Sequence, residues 1–310
     1  MNIVGLNGKI ISMGSINMDL VMFMDRFPEP GETVVTDNFS TFPGGKGGNQ
    51  GVTASVLGGK VKYFGKLGED AFSLQLKKAL NERGVDTASI LVDKTSTAGI
   101  AIILVNKQSQ NLISFTPGAN ALLTPEEVRE HKELFETGAI LLSSMEINPE
   151  TVYESIRIAN ENGMFIILDP APAPKEKFPE DIPALVNIIK PNETEASFIT
   201  GIKVTDFVSA ELALKSLSRM GFLYPIITLG EQGSIAYIDG KSVRIPPYKV
   251  ESIDSTAAGD VFSGALAASL ATGGNLEEAL NFASIAAALC TTVKGAQSSI
   301  PSLAQVRALF

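Results

Sequence analysis

The chain has 310 residues, long enough for one large α/β domain or two unequal ones, and its 45% apolar content supplies a sizeable core. A formal charge of −9 argues against nucleic acid or an acidic membrane surface as partner. It leaves room for a small anionic ligand, because helix termini and a bound divalent metal can supply local positive field. The single cysteine, Cys290, rules out an internal disulfide and fits a reducing compartment, where a buried, inert thiol is expected. The polar start Met1 to Gly8 shows no secretory signal, and no run approaches the ~20 apolar residues of a membrane span. A soluble cytoplasmic protein is expected.

The first stretch reads as β without helix. Lys9 to Ser15 is a strand, Val21 to Asp25 a short extended run, 27–32 a proline- and glycine-rich turn, and Thr33 to Thr41 another strand. Asn17 and Asp19 are two apart, so in an extended segment they point the same way. A glycine-rich run follows, Pro43-Gly44-Gly45-Lys46-Gly47-Gly48-Asn49-Gln50, and leads into a small-residue helix from Gly51 to Leu57. The run fits neither a P-loop nor the dinucleotide fingerprint. A lysine and an asparagine within it suggest a polyhydroxy ligand held by side-chain and backbone donors; a flexible loop is the plainer alternative.

From Val61 the chain alternates between strand and helix. Val61 to Gly65 is a strand and Asp70 to Arg83 a helix. Thr97 to Val105 and Asn111 to Thr116 form a hairpin about Asn106 to Gln110, a candidate to join the N-terminal strands in a small sheet that lids the site. Glu126 to Phe135 is a charged helix in which the lone His131 reads as solvated. Strands follow at 139–142, 164–168, 187–190 and 225–229, separated by helices at 149–162, after Pro191, and at 209–220. An antiparallel pair spans 234–245 across Asp239-Gly240. After an extended run Tyr248 to Ile253, two helices, Gly259 to Leu270 and Asn275 to Thr292, close the body, the second largely buried along 282–289. Such alternation implies a mostly parallel sheet with helices on both faces.

The turn Asp254-Ser255-Thr256-Ala257-Ala258-Gly259-Asp260 carries the chemistry. It has no bulky side chain, so the first N–H groups of the helix it opens stand bare at the positive end of the macrodipole. Such a terminus suits a phosphate or a developing oxyanion. Asp260 in the first turn can take a proton from a hydroxyl beside it; simple capping is the alternative. Glu146, Asp169, Asn192, Gly230 and Asp260 all follow strands, and ligands of such sheets bind at the strands' carboxyl ends.

These motifs resemble the ribokinase-type carbohydrate kinase family, to which fructokinase and adenosine kinase also belong. The resemblance rests on 14–19, Pro30-Gly31-Glu32-Thr33, the run 43–50, Asp169-Pro170-Ala171-Pro172-Ala173, Pro191-Asn192-Glu193-Thr194-Glu195-Ala196, Ile227-Thr228-Leu229-Gly230, 254–260 and Lys294-Gly295-Ala296-Gln297, in order along essentially the whole chain. It implies an α/β fold, a doubly wound and mostly parallel sheet between helices (about 1–16, 46–95 and 119–310), with a small β lid (about 17–45 and 96–118). It implies an ATP-dependent sugar kinase, first of all one that converts D-ribose to ribose 5-phosphate and ADP. Another pentose, a hexose or a nucleoside is the alternative substrate, and a catalytically idle sugar-binding relative is a further one.

Carried over by position, the resemblance makes Asp260 the base and Ala257, Ala258 and Gly259 the anion hole. Asn17, Asp19, Gly45, Lys46, Asn49 and Glu146 would hold the sugar. Asn192 and Glu195 would face the phosphates and Mg²⁺, the latter through water. Thr228, Gly230, Gly233 and Ser284 would line the nucleotide. Asp254, Thr256, Cys290, Val293, Gly295 and Ser299 match a K⁺ loop built mainly of carbonyls. A homodimer through the lid is expected, because an open small sheet leaves edges and an apolar face exposed. Departures from the family pattern are Gly48 for a usual Ala, Ser143-Ser144-Met145-Glu146 for a usual Gln-Leu-Glu approach, Ser284 where some members carry a ring, and Val293 for a usual Arg. None removes a catalytic part.

Overall fold

The structure is a computed structural model that describes residues 5–36, 38–108 and 110–310. Part of the expected polar start, Met1 to Gly8, therefore lies outside the described residues, as do Asp37 of the expected strand 33–41 and Ser109 of the turn 106–110.

In chain order the elements are β1 (Lys9–Met13), β2 (Asn17–Phe23), β3 (Asn38–Gly44), α1 (Lys46–Val56), β4 (Lys60–Gly68), α2 (Ala71–Glu82), β5 (Ile90–Asp93), β6 (Gly99–Val105) and β7 (Asn111–Thr116). Then come α3 (Pro125–Glu130), β8 (Ile140–Ser144), α4 (Pro149–Glu161), β9 (Phe165–Asp169), α5 (Ile182–Leu185), β10 (Ile188–Ile189), α6 (Glu193–Thr200), α7 (Phe207–Met220), β11 (Tyr224–Thr228), β12 (Ser234–Ile238), β13 (Lys241–Ile245), α8 (Ala258–Ala271), α9 (Leu276–Cys290) and α10 (Leu303–Arg307).

A nine-stranded sheet runs β13-β12-β11-β10-β9-β8-β1-β4-β5. It is parallel from β11 to β5 and antiparallel across β11-β12-β13. From β1 the chain moves first to β4 and β5, then returns to β8 on the other side, so the order reverses between β1 and β8. Crevices at such reversals receive ligands at the strands' carboxyl ends. The period-2 alternation of strand side chains splits the core into two layers. Ile140, Leu142, Ile167, Ile188 and Ile226 face α1, α2, α8, α9 and α10. Leu141, Ile166, Leu168, Ile189 and Ile227 face α3 to α7.

A second, four-stranded sheet runs β3-β2-β6-β7, with β6 parallel to β2 and the other pairs antiparallel. Met22, Phe39, Ile102 and Leu112 are exposed on one face and Phe23, Ile113 and Phe115 on the other, as the register assigns them. Edge strand β7 is exposed along its whole length.

Several local expectations give way. The strand expected at 33–41 begins only at Asn38, and Val21 belongs to one continuous strand from Asn17. The extended run 248–253 joins no sheet. Strand β5 went unread because Ile90–Asp93 is short and ends in a charged residue. The charged helix 126–135 stops at Glu130 and continues as a single tight turn. His131 is half-buried rather than solvated: its ring lies 5.7 Å from that of Phe64, and its Nδ1 sits 2.8 Å from the Glu127 carbonyl.

Candidate active site

Helix α1 starts at Lys46, inside the glycine run rather than after it. The run is therefore the first turn of a helix, and its glycines serve packing. A Cβ on Gly47 would fall 2.7 Å from the backbone of Gly14, and one on Gly51 3.0 Å from Ser12. On α8, a Cβ on Gly264 would lie 2.5 Å from the Gln50 carbonyl. Close approach without side chains holds α1 against both β1 and α8. It brings Asn49 and Gln50 to the first turn of α8, where Asp260 is only 6% exposed.

Asp260 accepts hydrogen bonds from Asn49 Nδ2 (2.9 Å) and Gln50 Nε2 (3.3 Å). Gln50 Nε2 also donates to Asp169 Oδ2 (3.0 Å), the oxygen that receives Ser263 Oγ (3.0 Å) and the Lys190 ammonium (3.1 Å). Burial pushes the Asp260 carboxyl above its usual range; Lys46 and the two carboxamides oppose that rise, and Asp169 adds to it. In turn the Asp260 carboxylate, against the cost of burial, holds Lys46 firmly protonated. Asn49 Oδ1, Gln50 Oε1 and Asp169 Oδ1 are buried acceptors without a partner among the described residues.

Helix α8 has no side-chain cap. Ala257 stands at its start with φ 62°, a strained value for a residue with a Cβ. The Ala258 N–H turns back to the Ser255 carbonyl (3.2 Å), which corrects the expectation that all three amides of the turn are bare. Among the described residues no protein partner takes the N–H groups of Gly259 and Asp260. They border a cavity of ≈ 230 Å³ lined by Lys46, Lys190, Asn192, Glu195, Thr228, Ser255 and 257–260. A larger cavity, ≈ 470 Å³, lies at the opposite, amino ends of β1, β4 and β8 and shares none of these residues.

Asn192 and Glu195 form a capping box: Asn192 Oδ1 accepts from the Glu195 N–H (2.8 Å) and Glu195 Oε2 from the Asn192 N–H (2.9 Å). Both side chains still line the cavity, so capping consumes one end of each and leaves Glu195 Oε1 and Asn192 Nδ2 for a ligand. Burial, followed by the Asp169 carboxylate, raises the Glu195 carboxyl.

On the far side of Asp260, Glu146 accepts from Ser15 Oγ and from the Lys46 N–H (3.3 Å). Asn17 is buried, and its Oδ1 accepts from Asn120 Nδ2 (2.9 Å). Asp19 lies over Gly44, where a Cβ would fall 2.4 Å from its carboxylate. A Cβ on Gly45, at φ 86°, would meet the backbone of Ile16 and Asn17 within 2.8 Å.

The structure brings Lys46, Asn49, Asn192, Glu195, Thr228, Ala257, Ala258 and Gly259 around Asp260. Three assigned positions sit differently. Gly233 is a glycine because a Cβ at φ 92° would strike the Ile245 carbonyl at 2.3 Å, a constraint of the β12–β13 hairpin. Ser284 on α9 donates to the Pro246 carbonyl (3.3 Å) and does not line the cavity. Gly230 lies in a tight turn with φ 52°, where a Cβ would meet only Glu193 Oε1 at 3.9 Å.

The proposed cation loop is assembled from two segments. Asp254 accepts from Thr256 N–H (2.9 Å), Thr256 Oγ1 (2.6 Å) and Gly295 N–H (2.9 Å). These bonds outweigh burial and keep its carboxyl below the usual range. Cys290, fully buried, has its Sγ 3.0 Å from Ser299 Oγ, and burial raises its thiol. Val293 carries an exposed side chain, so only its backbone could serve there.

Gln50, Lys190 and Ser263 are partners of the site that the sequence does not single out, and they join Asp169, whose strand-end place it does. Gln50 is one turn from Lys46, visible only once α1 is known to start there. Asp169 and Lys190 end neighbouring strands, with Leu168 opposite Ile189 in the register, so strand order would have paired them.

Sheet topology, the helix-terminal aspartate and the cavity beside it fit a class that the comparisons show, the phosphotransferases that use an alcohol acceptor. Residues 7–303 match the pfkB family carbohydrate kinase, and the chain belongs to that family. It is 38% identical over 290 residues to a ribokinase of Haemophilus influenzae, covering 94% of each chain. It is 33% identical over 296 residues to a deoxyribokinase of Salmonella typhi, covering 96% of each. Its fold superposes with TM-score 0.91 on Arabidopsis thaliana ribokinase complexed with ribose and ATP, at 30% identity and 97% and 98% coverage.

Asp19 yields a prediction. Burial, then the Glu146 carboxylate, pushes its carboxyl up to about 7. A folded carboxyl raised above its unfolded value binds more protons than the unfolded one, so its contribution lowers stability as pH rises from about 4 to about 7. A ¹³C-carboxyl titration of the ligand-free chain should show a midpoint near neutrality for Asp19, and Asp19→Asn should flatten the fall in stability over that window. A midpoint at the ordinary aspartate value of about 3.9 would remove the argument.

Proposed function

We propose that the chain transfers the γ-phosphoryl group of ATP to the primary hydroxyl of D-ribose, giving ribose 5-phosphate and ADP. The observation that carries this is Asp260, a buried carboxylate at the open start of α8, hydrogen-bonded to Asn49 and bordering the cavity that Lys46, Lys190, Asn192 and Glu195 line. Similarity to ribokinases across nearly the whole chain supports ribose as the acceptor.

The sugar would be held by Asn17, Asp19, Gly45, Lys46, Asn49 and Glu146. The segments 17–45 and 96–118, which carry the small sheet, would act as its lid. Asp260 accepts the proton of the primary hydroxyl as that oxygen bonds to the γ-phosphorus and the bond from phosphorus to the ADP oxygen breaks. The N–H groups of Gly259 and Asp260 and the Lys46 ammonium meet the charge on the transferring group, the main requirement of phosphoryl transfer. A raised carboxyl suits a base that works near neutral pH. Thr228 and Gly230 would approach the nucleotide.

Among the described residues no three His, Cys, Asp or Glu side chains gather as metal ligands. Mg²⁺ held by phosphate and water, with Glu195 Oε1 and Asn192 Nδ2 as outer contacts, fits this donor set. It would supply charge neutralisation at the phosphates. The tied loops at Asp254, Thr256, Cys290, Val293, Gly295 and Ser299 fit a K⁺ held by backbone carbonyls, which would steady the turn that carries the α8 amides. Two unpaired edges and apolar residues on both faces of the small sheet support a homodimer through it. No described helix is long and apolar enough to cross a membrane, and with one free thiol the reading is a cytoplasmic enzyme.

ADP release should be measured across ribose, 2-deoxyribose, hexoses and nucleosides. Ribose is expected to give the highest kcat/KM; no release with any acceptor would sink the kinase reading. Asp260→Asn should lower kcat about 10²–10⁴-fold with sugar binding kept, and near-normal turnover would remove Asp260 as the base. K⁺ should activate relative to tetramethylammonium, and equal rates in both salts would refute the cation loop. Sedimentation should give twice the 32.8 kDa chain mass, and a monomer would count against the lid-mediated dimer.

A further inference from the structure

The chain passes between the large and the small sheet at four places: Ile16–Asn17, Gly44–Gly45, Ala98–Gly99 and Pro117–Asn120. One buried side chain ties two of them together. Asn120, 1% exposed, lies in the tight turn Gly118–Leu122 that follows β7. Its Oδ1 accepts from the Ile16 N–H (3.0 Å). Its Nδ2 lies within reach of the Ile16 carbonyl (3.1 Å), the Pro117 carbonyl (2.9 Å) and Asn17 Oδ1 (2.9 Å).

A backbone donor, the Ile16 N–H, fixes which way the Asn120 amide faces, because it needs an oxygen that a flipped amide would not present. The two hydrogens of Nδ2 then serve the two shorter contacts, the Pro117 carbonyl and Asn17 Oδ1. Asn120 therefore presents N–H to Asn17, and Asn17 must present its oxygen in return. The Asn17 nitrogen is then directed away from Asn120 as a donor. Space for the pair is reserved by Gly99: a Cβ there would fall 2.1 Å from Asn17 Oδ1 and 2.4 Å from Asn120 Nδ2.

We propose that Asn120 is a positioning residue for the sugar: it locks the amide orientation of Asn17 and, by bonding both Ile16 and Pro117, makes that orientation depend on how the small sheet is seated. It touches neither substrate; it acts through Asn17. The inference rests on the sugar-kinase reading and on Asn17 as a sugar contact. It adds a specificity element on the strand leaving the lid, where nothing in the sequence marked one.

The test compares Asn120→Asp, which keeps the oxygen for Ile16 N–H but replaces the donor to Asn17, with Gly99→Ala, which crowds the pair while retaining both asparagines. Each should raise the KM for ribose about tenfold, the scale of one lost hydrogen bond, with the KM for ATP little changed; both lower the melting temperature, because each disturbs a buried pair, so the contrast between ribose and ATP carries the test. Ribose binding without nucleotide, read by calorimetry, should weaken in parallel. In an Asn17→Ala background the further effect of either change on ribose affinity should vanish, because the route is gone. If Asn120→Asp does not fold, Gly99→Ala carries the same comparison. Equal loss toward ribose and ATP, or an effect undiminished in Asn17→Ala, would overturn the positioning role while leaving the kinase reading intact. A wild-type chain that neither binds nor phosphorylates any sugar would bring down both.

Discussion

Where α1 crosses β1 and α8 there is no space for side chains. Gly47 meets Gly14, Gly51 meets Ser12, and Gly264 meets the Gln50 carbonyl, each at a distance that a Cβ would violate. Glycine within a helix costs roughly 0.5–1 kcal/mol against alanine. A chain that places Gly47, Gly48 and Gly51 in one helix accepts that cost for proximity. Proximity delivers two carboxamides, Asn49 and Gln50, onto a carboxylate that would otherwise be buried with too few partners. The chemistry of Asp260 is thus set by a packing constraint on a neighbouring helix.

The charges follow the same logic. Asp169, Asp260, Lys46 and Lys190 are gathered at one end of the sheet, most of them nearly excluded from solvent. Isolated, each would be costly to bury. Together they partly compensate: Lys190 pairs with Asp169, Lys46 lies in the field of Asp260, and Gln50 bridges the two carboxylates. The compensation is incomplete, since burial still raises Asp260 and Glu195. Donors are also missing at Asn49 Oδ1, Gln50 Oε1 and Asp169 Oδ1, which stay unpartnered among the described residues.

The parallel sheet was readable from the sequence because apolar strands and amphipathic helices alternate at short intervals, and because Asp70, Asn192 and Asn275 stand where helix caps belong. The place of Asp260 in the first turn of an uncapped helix was readable because the turn before it carries no bulky side chain. What local pattern could not show was anything decided by a distant segment. The start of α1 at Lys46 depends on Gly14 lying opposite Gly47. That Gly233 must be a glycine depends on the Ile245 carbonyl, twelve residues on. The Asp169–Lys190 pair needs the strand order, and His131 needs the ring of Phe64.

Asn120 is the furthest case of this rule. It is 103 residues from Asn17, in a turn whose sequence, Gly118-Ala119-Asn120-Ala121-Leu122, reads as an ordinary connection. Its importance comes from the junction between the two sheets, where every crossing strand is pinned to another. Ile16 and Asn17 are held by Asn120, Gly45 abuts Ile16, Ala119 N–H bonds the Thr97 carbonyl, and Ala98 N–H bonds Asp70 at the start of α2. A change in how the small sheet sits must reach Asn17 through Asn120, and Asp19 and Gly45 by the same strands. On the proposed reading, sugar contacts and the seating of the small sheet share one junction, even though the residues that form it lie on segments far apart in sequence.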